Sequence, residues 1–290
     1  PAAGRGASPP DAAAHLGEPG ADAPAGSGAG EPGEAAAEQL LPPRPAPCPL
    51  ENVGNSCYAN ATLQAIFSLQ MTEEFCGIVP VDESGDGALV ATFRAAEESN
   101  LFAPQSFLAD HYEKDKNQQD AQEFVQRQVL HAAETWAAQC SGADVPLLLC
   151  RHCGLTGRLG AREAFSSMSL PLRSQGGAPY RTAAEALLGY LGARQTVELR
   201  DWACNAPACV ARGVAADDPV KTPNVVQWPR VLILHLLRWD NNRILVPHAV
   251  APDRTLRVSD TTYALRAVVT HEGESARSGH YVAPASRGDR

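Results

Sequence analysis

One thiol, Cys57, lies in the stretch ENVGNSCYANATLQAIFSLQ, between a cluster of small polar residues and the start of an apolar-periodic run. A cysteine attacks an acyl carbon when its pKa is depressed, a base holds its proton and donors meet the developing oxyanion. The stretch supplies two of these aids. A cysteine in a first helical turn feels the positive end of the macrodipole, which favours thiolate. Gly54 lets backbone approach a reacting group closely, and the side-chain amide of Asn52 is a suitable oxyanion donor. The plainer reading of Cys57 alone is a small buried hydrophobe.

A second chemistry is carried by two cysteine pairs. Cys150 and Cys153, in CRHC, precede Gly154, and Cys204 and Cys209, in CNAPAC, flank Pro207. Two such pairs about fifty residues apart make a tetrahedral four-cysteine zinc site if strands bring them together. Four protein ligands leave no open position, so such a zinc would be structural. The alternative is a set of free thiols. His152 lies between the first pair, where it is poorly placed to be a ligand.

These groups need elements to position them. Ala59, Leu63, Ile66, Phe67 and Gln70 follow helical spacing, predicting a helix that starts at or just before Cys57. A second helix is predicted in NQQDAQEFVQRQVLHAAETWAAQC, with Ala121, Val125, Val129, Ala132 and Trp136 on one stripe and Asn117 as cap. Thr182 and Glu185 are spaced as a capping box ahead of Leu187, Leu188 and Leu191. The C-terminal third reads as strands. VLILHLL (Val231–Leu237) is expected as a buried central strand, Tyr263–His271 as another, and HYVAP from His280 as its return partner across a glycine-containing loop. Helices first and strands later predict an α+β architecture.

Composition bounds the rest. With 290 residues and 44% hydrophobic content, the chain has enough apolar material for one sizeable core or two modest ones. Residues 1–47 are rich in Ala, Gly and Pro and are expected to form a disordered tail. A net charge of -9 and a pI near 5.4 argue against a nucleic-acid surface, which needs clustered cations. No apolar run approaches the roughly 18 to 20 residues that span a bilayer, so a soluble protein with no membrane partner is expected. The eight cysteines are not laid out as a secreted disulfide scaffold, which makes a reducing compartment, cytoplasm or nucleus, the expectation.

Four blocks, in order, resemble those of the ubiquitin-specific proteases, the papain-like cysteine deubiquitinases. NVGNSCYANATLQ resembles their cysteine box, and NQQDAQEF is similar to their QQDA-type segment. VLILHLLRW is similar to a strand ending in a basic-aromatic pair, and YALRAVVTHEGESARSGHYVA to their histidine box. The resemblance implies a papain-like fold with a thumb over about 48–145, fingers over about 146–225 and a palm over about 226–290, and a chain that stops short of the family's C-terminal part.

It also implies that Cys57 is the nucleophile, His280 the base, Asn52 the oxyanion donor, and Asp120, Gln122 and Tyr281 the lining of a channel for the ubiquitin tail. It implies structural zinc on Cys150, Cys153, Cys204 and Cys209, with no catalytic cofactor. A lone histidine at a strand start is more often structural, and the SGHY context is what singles out His280. His271 reads as a bland strand residue and Asp120, apart from the resemblance, as a helix-start carboxylate. Ser56 stands where the family more often has threonine, and Leu237 and Trp239 where it prefers lysine and phenylalanine. The residue that orients the histidine lies beyond the GHY strand in the family, and Asp289 is the only carboxylate after His280 here. The implied activity is hydrolysis of the isopeptide bond after the C-terminal glycine of ubiquitin. The alternatives are a catalytically impaired ubiquitin-binding scaffold and a general papain-like peptidase.

Overall fold

The computed structural model describes residues 50–69, 89, 119–158, 160–199, 202–213, 218–239, 245–275 and 278–284. The expected tail over 1–47, the Asn117 cap, Gln70 and Asp289 lie outside them. Helix α1 spans Cys57–Phe67, starting where its apolar spacing predicts. It buries Tyr58, Ala59 and Leu63 completely, and the Tyr58 and Phe124 rings meet edge to face with centroids 5.6 Å apart.

The second predicted helix is interrupted. Helix α2 (Ala121–Phe124) runs into a π-helical turn (Val125–Val129) and then α3 (Leu130–Ala132). Ala133, at φ -113° and ψ 87°, breaks the path before α4 (Glu134–Cys140). A π turn inserts one residue into the helical repeat and so advances every later side chain by about 100°. Ala121, Val129 and Trp136 are buried as their spacing predicts, Val125 is only half-buried, and Phe124, Leu130, Ala133 and Cys140 join the buried face. The helix is capped by Asp120, whose carboxylate accepts from the Glu123 N–H at 3.0 Å.

Strands begin earlier than the sequence pattern suggests. β1 (Gly142–Asp144) lies between β4 (Glu163–Phe165) and β8 (Val225–Gln227), all antiparallel. A four-stranded sheet orders β3 (Thr156–Arg158), β2 (Leu147–Leu149), β7 (Val220–Thr222) and β6 (Gln195–Thr196). Strands of two or three residues are too short to display a period of two, which is why they escape a pattern search.

β5 (Met168–Leu170) runs parallel to β9 (Leu234–Leu236). The expected central strand over Val231–Leu237 is thus shorter and only half-buried. The expected strand over Tyr263–His271 is split between β11 (Thr261–Ala264), paired with β10 (Thr255–Val258), and β12 (Thr270–Ser275). β12 and β13 (Ser278–Val282) form the expected hairpin, with His271 opposite Tyr281 and Glu272 opposite His280.

Helix α5 (Ala183–Leu191) has the Thr182 half of the predicted capping box: Thr182 Oγ1 accepts from Glu185 N–H at 3.1 Å, whereas Glu185 Oε2 accepts at 2.7 Å from the N–H of Arg181, one residue before the cap. Leu187 is buried, but Leu188 is 62% exposed, one residue past the inward face. A short helix α6 (Pro207–Ala211) buries Cys209.

Two apolar cores result. One joins α1–α4 with Val231, Ile233 and Tyr281; the other joins Met168, Leu170, Ala186, Leu187 and Val258 with residues of β9–β11. Among the described residues no helix is long and apolar enough to cross a membrane.

Candidate active site

The turn before α1 sets the geometry of Cys57. Gly54, at φ +77°, adopts a left-handed conformation that costs glycine little. Asn60 reaches back from the helix and donates from Nδ2 to the Glu51 carbonyl at 2.9 Å, pinning the incoming segment. Ser56 is the N-cap residue, yet its hydroxyl makes no cap bond. It turns backwards, accepting from the Val53 N–H and donating to Asn52 Oδ1, both at 3.0 Å. Ser56 thus caps none of the first-turn N–H groups of α1, and Cys57, 7% exposed, sits at their positive end.

Three elements converge on this end. α1 packs against both β13 and α2. Tyr281, on β13, packs on the first core, and burial pushes its phenol up to about 12. The Asp120 carboxylate adds to that push and Cys57 contributes last, whereas a hydrogen bond with the Ala121 backbone opposes it. The phenol is therefore neutral at physiological pH and lies within electrostatic reach of both Asp120 and Cys57. The structure brings together Asn52, Cys57, Asp120 and Tyr281.

The other expected site residues are placed differently. His280 is on β13, beside Tyr281, but its ring is exposed and makes no hydrogen bond or ion pair to Cys57. Gln122 is half-buried and its Nε2 donates to Ser167 Oγ at 2.8 Å, tying α2 to the turn before β5. Gln126 donates to the same oxygen at 2.9 Å and accepts from Ser166 Oγ at 3.0 Å. Sequence reasoning missed this Gln126–Ser166–Ser167 clasp, because it joins residues some forty positions apart with no motif between them. It also missed His235 on β9. Burial lowers the His235 pKa against the opposing charge of Asp120, and its Nδ1 lies 3.3 Å from Ser169 Oγ.

His271 is less bland than its strand position suggests. Its ring lies 4.7 Å from that of Tyr281, and its Nε2 is 2.5 Å from where a Cβ on Gly279 would stand. The absence of a side chain at Gly279, whose φ is +153°, is what makes room for it.

The four paired cysteines gather at a separate place. Their sulfurs all lie within 4.8 Å of one another, and His152 is not part of the group. CRHC turns between β2 and β3, and the two extra residues of the second pair are taken up as Pro207 starts α6, which carries Cys209. Cys150 and Cys209 sulfurs are 3.8 Å apart and those of Cys153 and Cys204 3.6 Å. Zinc–sulfur bonds of about 2.3 Å in a tetrahedron require sulfur–sulfur edges of about 3.8 Å, so the donor set and spacing fit that ion. The N–H of Cys153 leads in drawing Cys150 down to about 6, while burial and then the neighbouring thiols push Cys209 up to about 12.

The family described as ubiquitin carboxyl-terminal hydrolase matches residues 48–289. Among solved structures, a SAGA DUB module of Ubp8, Sgf11, Sus1 and Sgf73 bound to monoubiquitin is similar, with a TM-score of 0.60, 17% identity, and 88% of this chain and 65% of that chain covered. The same assembly bound to ubiquitin aldehyde gives a TM-score of 0.58 and 18% identity over 85% of this chain and 63% of that chain. The chain thus spans slightly less than two thirds of the chains it resembles. At these identities the likeness concerns the fold, which is the α+β papain-like deubiquitinase fold expected from the sequence. No curated protein matches the chain.

Proposed function

Since the chain belongs to the ubiquitin carboxyl-terminal hydrolase family, we propose that it is a thiol-dependent deubiquitinase cleaving the isopeptide bond after the C-terminal glycine of ubiquitin. The observation that carries this reading is the convergence of Cys57 at the start of α1, Asp120 at the start of α2 and Tyr281 on β13. In the proposed reaction, the Cys57 sulfur attacks the glycine carbonyl carbon and His280 takes the thiol proton. The Asn52 amide donates to the oxyanion as the C=O electron pair moves onto oxygen.

Collapse of that intermediate breaks the C–N bond, and His280 returns the proton to the leaving lysine amine. Water, deprotonated by His280, then hydrolyses the thioester. The exposed His280 ring is compatible with this role, since catalytic hydrogen bonds commonly tighten only when substrate arrives. Asp120 and Tyr281 line the path of the tail, and Gln122, held by Ser167, buttresses it.

Residues about 48–145 form the proposed thumb and 226–290 the palm. The proposed fingers, 146–225, contain the β3-β2-β7-β6 sheet, with the cysteine cluster at its end. Cys150, Cys153, Cys204 and Cys209 would hold a zinc that cross-links the two arms and takes no part in the chemistry. The proposed partner is ubiquitin or a polyubiquitinated protein, and the proposed setting is the cytoplasm or nucleus, where such thiols stay reduced.

The test is incubation of the chain and of its Cys57→Ala variant with ubiquitin bearing a C-terminal electrophile, read by intact mass. An adduct on the parent alone is the expected result. The second reading is ubiquitin binding without catalysis; binding with no adduct would replace the first reading with it.

A further inference from the structure

We infer that Ser56 is a positioning residue that fixes which end of the Asn52 amide faces the substrate. The inference rests on the proposed hydrolysis and concerns a residue that touches neither substrate nor thiol in that scheme. Ser56 is fully buried, so its hydroxyl has no access to water. A serine at a helix start ordinarily points forward, to accept from an N–H of the first turn. This one points back, taking the Val53 N–H on a lone pair and giving its only proton to Asn52 Oδ1.

That leaves one low-energy orientation for the amide. With Oδ1 facing Ser56, Asn52 Nδ2 points away from it, and the exposed side of Asn52 presents donors. Rotating the amide by half a turn would set Nδ2 against Ser56 and strand the hydroxyl proton in a dry site with no acceptor, a costly arrangement. The backbone on which this depends is also held, by Gly54 in its left-handed turn and by Asn60 on the Glu51 carbonyl. An oxyanion donor is effective to the extent that it is aimed before charge develops. Asn52 would supply the N–H, and Ser56 its aim.

The experiment compares two reactions of the full chain. Hydrolysis of a fluorogenic ubiquitin C-terminal amide passes through an oxyanion, whereas alkylation of Cys57 by ubiquitin carrying a C-terminal haloalkyl group does not. Ser56→Ala is expected to lower kcat for hydrolysis roughly 10-fold or more, with KM and the alkylation rate within about twofold of the parent. Asn52→Ala is expected to lose about 10²-fold to 10³-fold. The double variant should be no slower than Asn52→Ala alone, because Ser56 acts only through Asn52. Ser56→Thr keeps a hydroxyl and should recover most of the rate.

Asn52→Asp keeps an acceptor for Ser56 but offers no donor to the oxyanion. It should melt like the parent and hydrolyse as slowly as Asn52→Ala, which keeps the inference testable even if Ser56→Ala does not fold. Parent-like hydrolysis by Ser56→Ala or Asn52→Asp overturns the inference, as does a Ser56→Ala loss shared equally by alkylation or additive with Asn52→Ala. A parent chain that neither hydrolyses nor is alkylated overturns the proposed function itself, and this inference with it.

Discussion

The phenol of Tyr281 shows how much one residue can report. Its pKa is pushed from 10.0 to about 12, with burial the leading cause and the Asp120 carboxylate next. A raised pKa means that the folded chain holds the proton more tightly than the unfolded chain does. The associated stability is fully present below pH 10 and is lost as pH rises from about 10 towards 12. Tyr281→Phe should therefore unfold less steeply with pH across that window than the parent, as followed by thermal melting. Identical alkaline slopes would show that the phenol is not held away from solvent. The family resemblance named Tyr281 beside His280, but its burial and its electrostatic coupling to Asp120 depend on the approach of α2 to β13.

At the scale of elements, capping and the proposed tail contact share Asp120, and one substitution separates them. Asparagine caps a helix about as well as aspartate, so Asp120→Asn should leave the melting temperature nearly unchanged, whereas Asp120→Ala should cost about 0.5–2 kcal/mol. Loss of the charge should raise KM for a ubiquitin substrate in both variants. An unchanged KM would remove Asp120 from the proposed channel. The β12–β13 hairpin has its own tight point.

A Cβ on Gly279 would stand 2.5 Å from both the Glu272 carbonyl oxygen and His271 Nε2, contacts that real side chains do not make. Gly279→Ala should destabilise the chain by about 1–3 kcal/mol and displace the strand that carries His280. A parent-like melt would mean that the hairpin relaxes freely. The start of α1 was legible from its spacing and its small polar lead-in. The path after Phe124 was legible only in part: Val129 and Trp136 are buried as their spacing predicts, but the π turn and the break at Ala133 leave no mark in composition.

The described residues gather in two apolar cores and in a cluster of four thiols. The proposed zinc would join CRHC, between β2 and β3, to the arm that carries Cys204 and Cys209. Metal analysis of purified protein should find about one zinc per chain, and chelation should lower the melting temperature. Less than about half an equivalent would count against the four-thiolate proposal. The same cluster would explain how short strands hold a stable arm, since their apolar faces alone bury little.

Local chemistry was determined by the sequence alone: a thiol at a helix start, a helix cap at Thr182, two cysteine pairs suited to one metal, and a hairpin returning through His280. These depend on neighbours a few positions away, and backbone geometry relates such neighbours directly. Tertiary structure decided what depends on distant approach. It turned the Ser56 hydroxyl from the helix to Asn52, bound Gln122 to Ser167, placed His235 and Tyr281 in the field of Asp120, and reduced the expected seven-residue strand to Leu234–Leu236. Those outcomes depend on which distant groups meet when the elements pack, and spacing along the chain does not encode that choice.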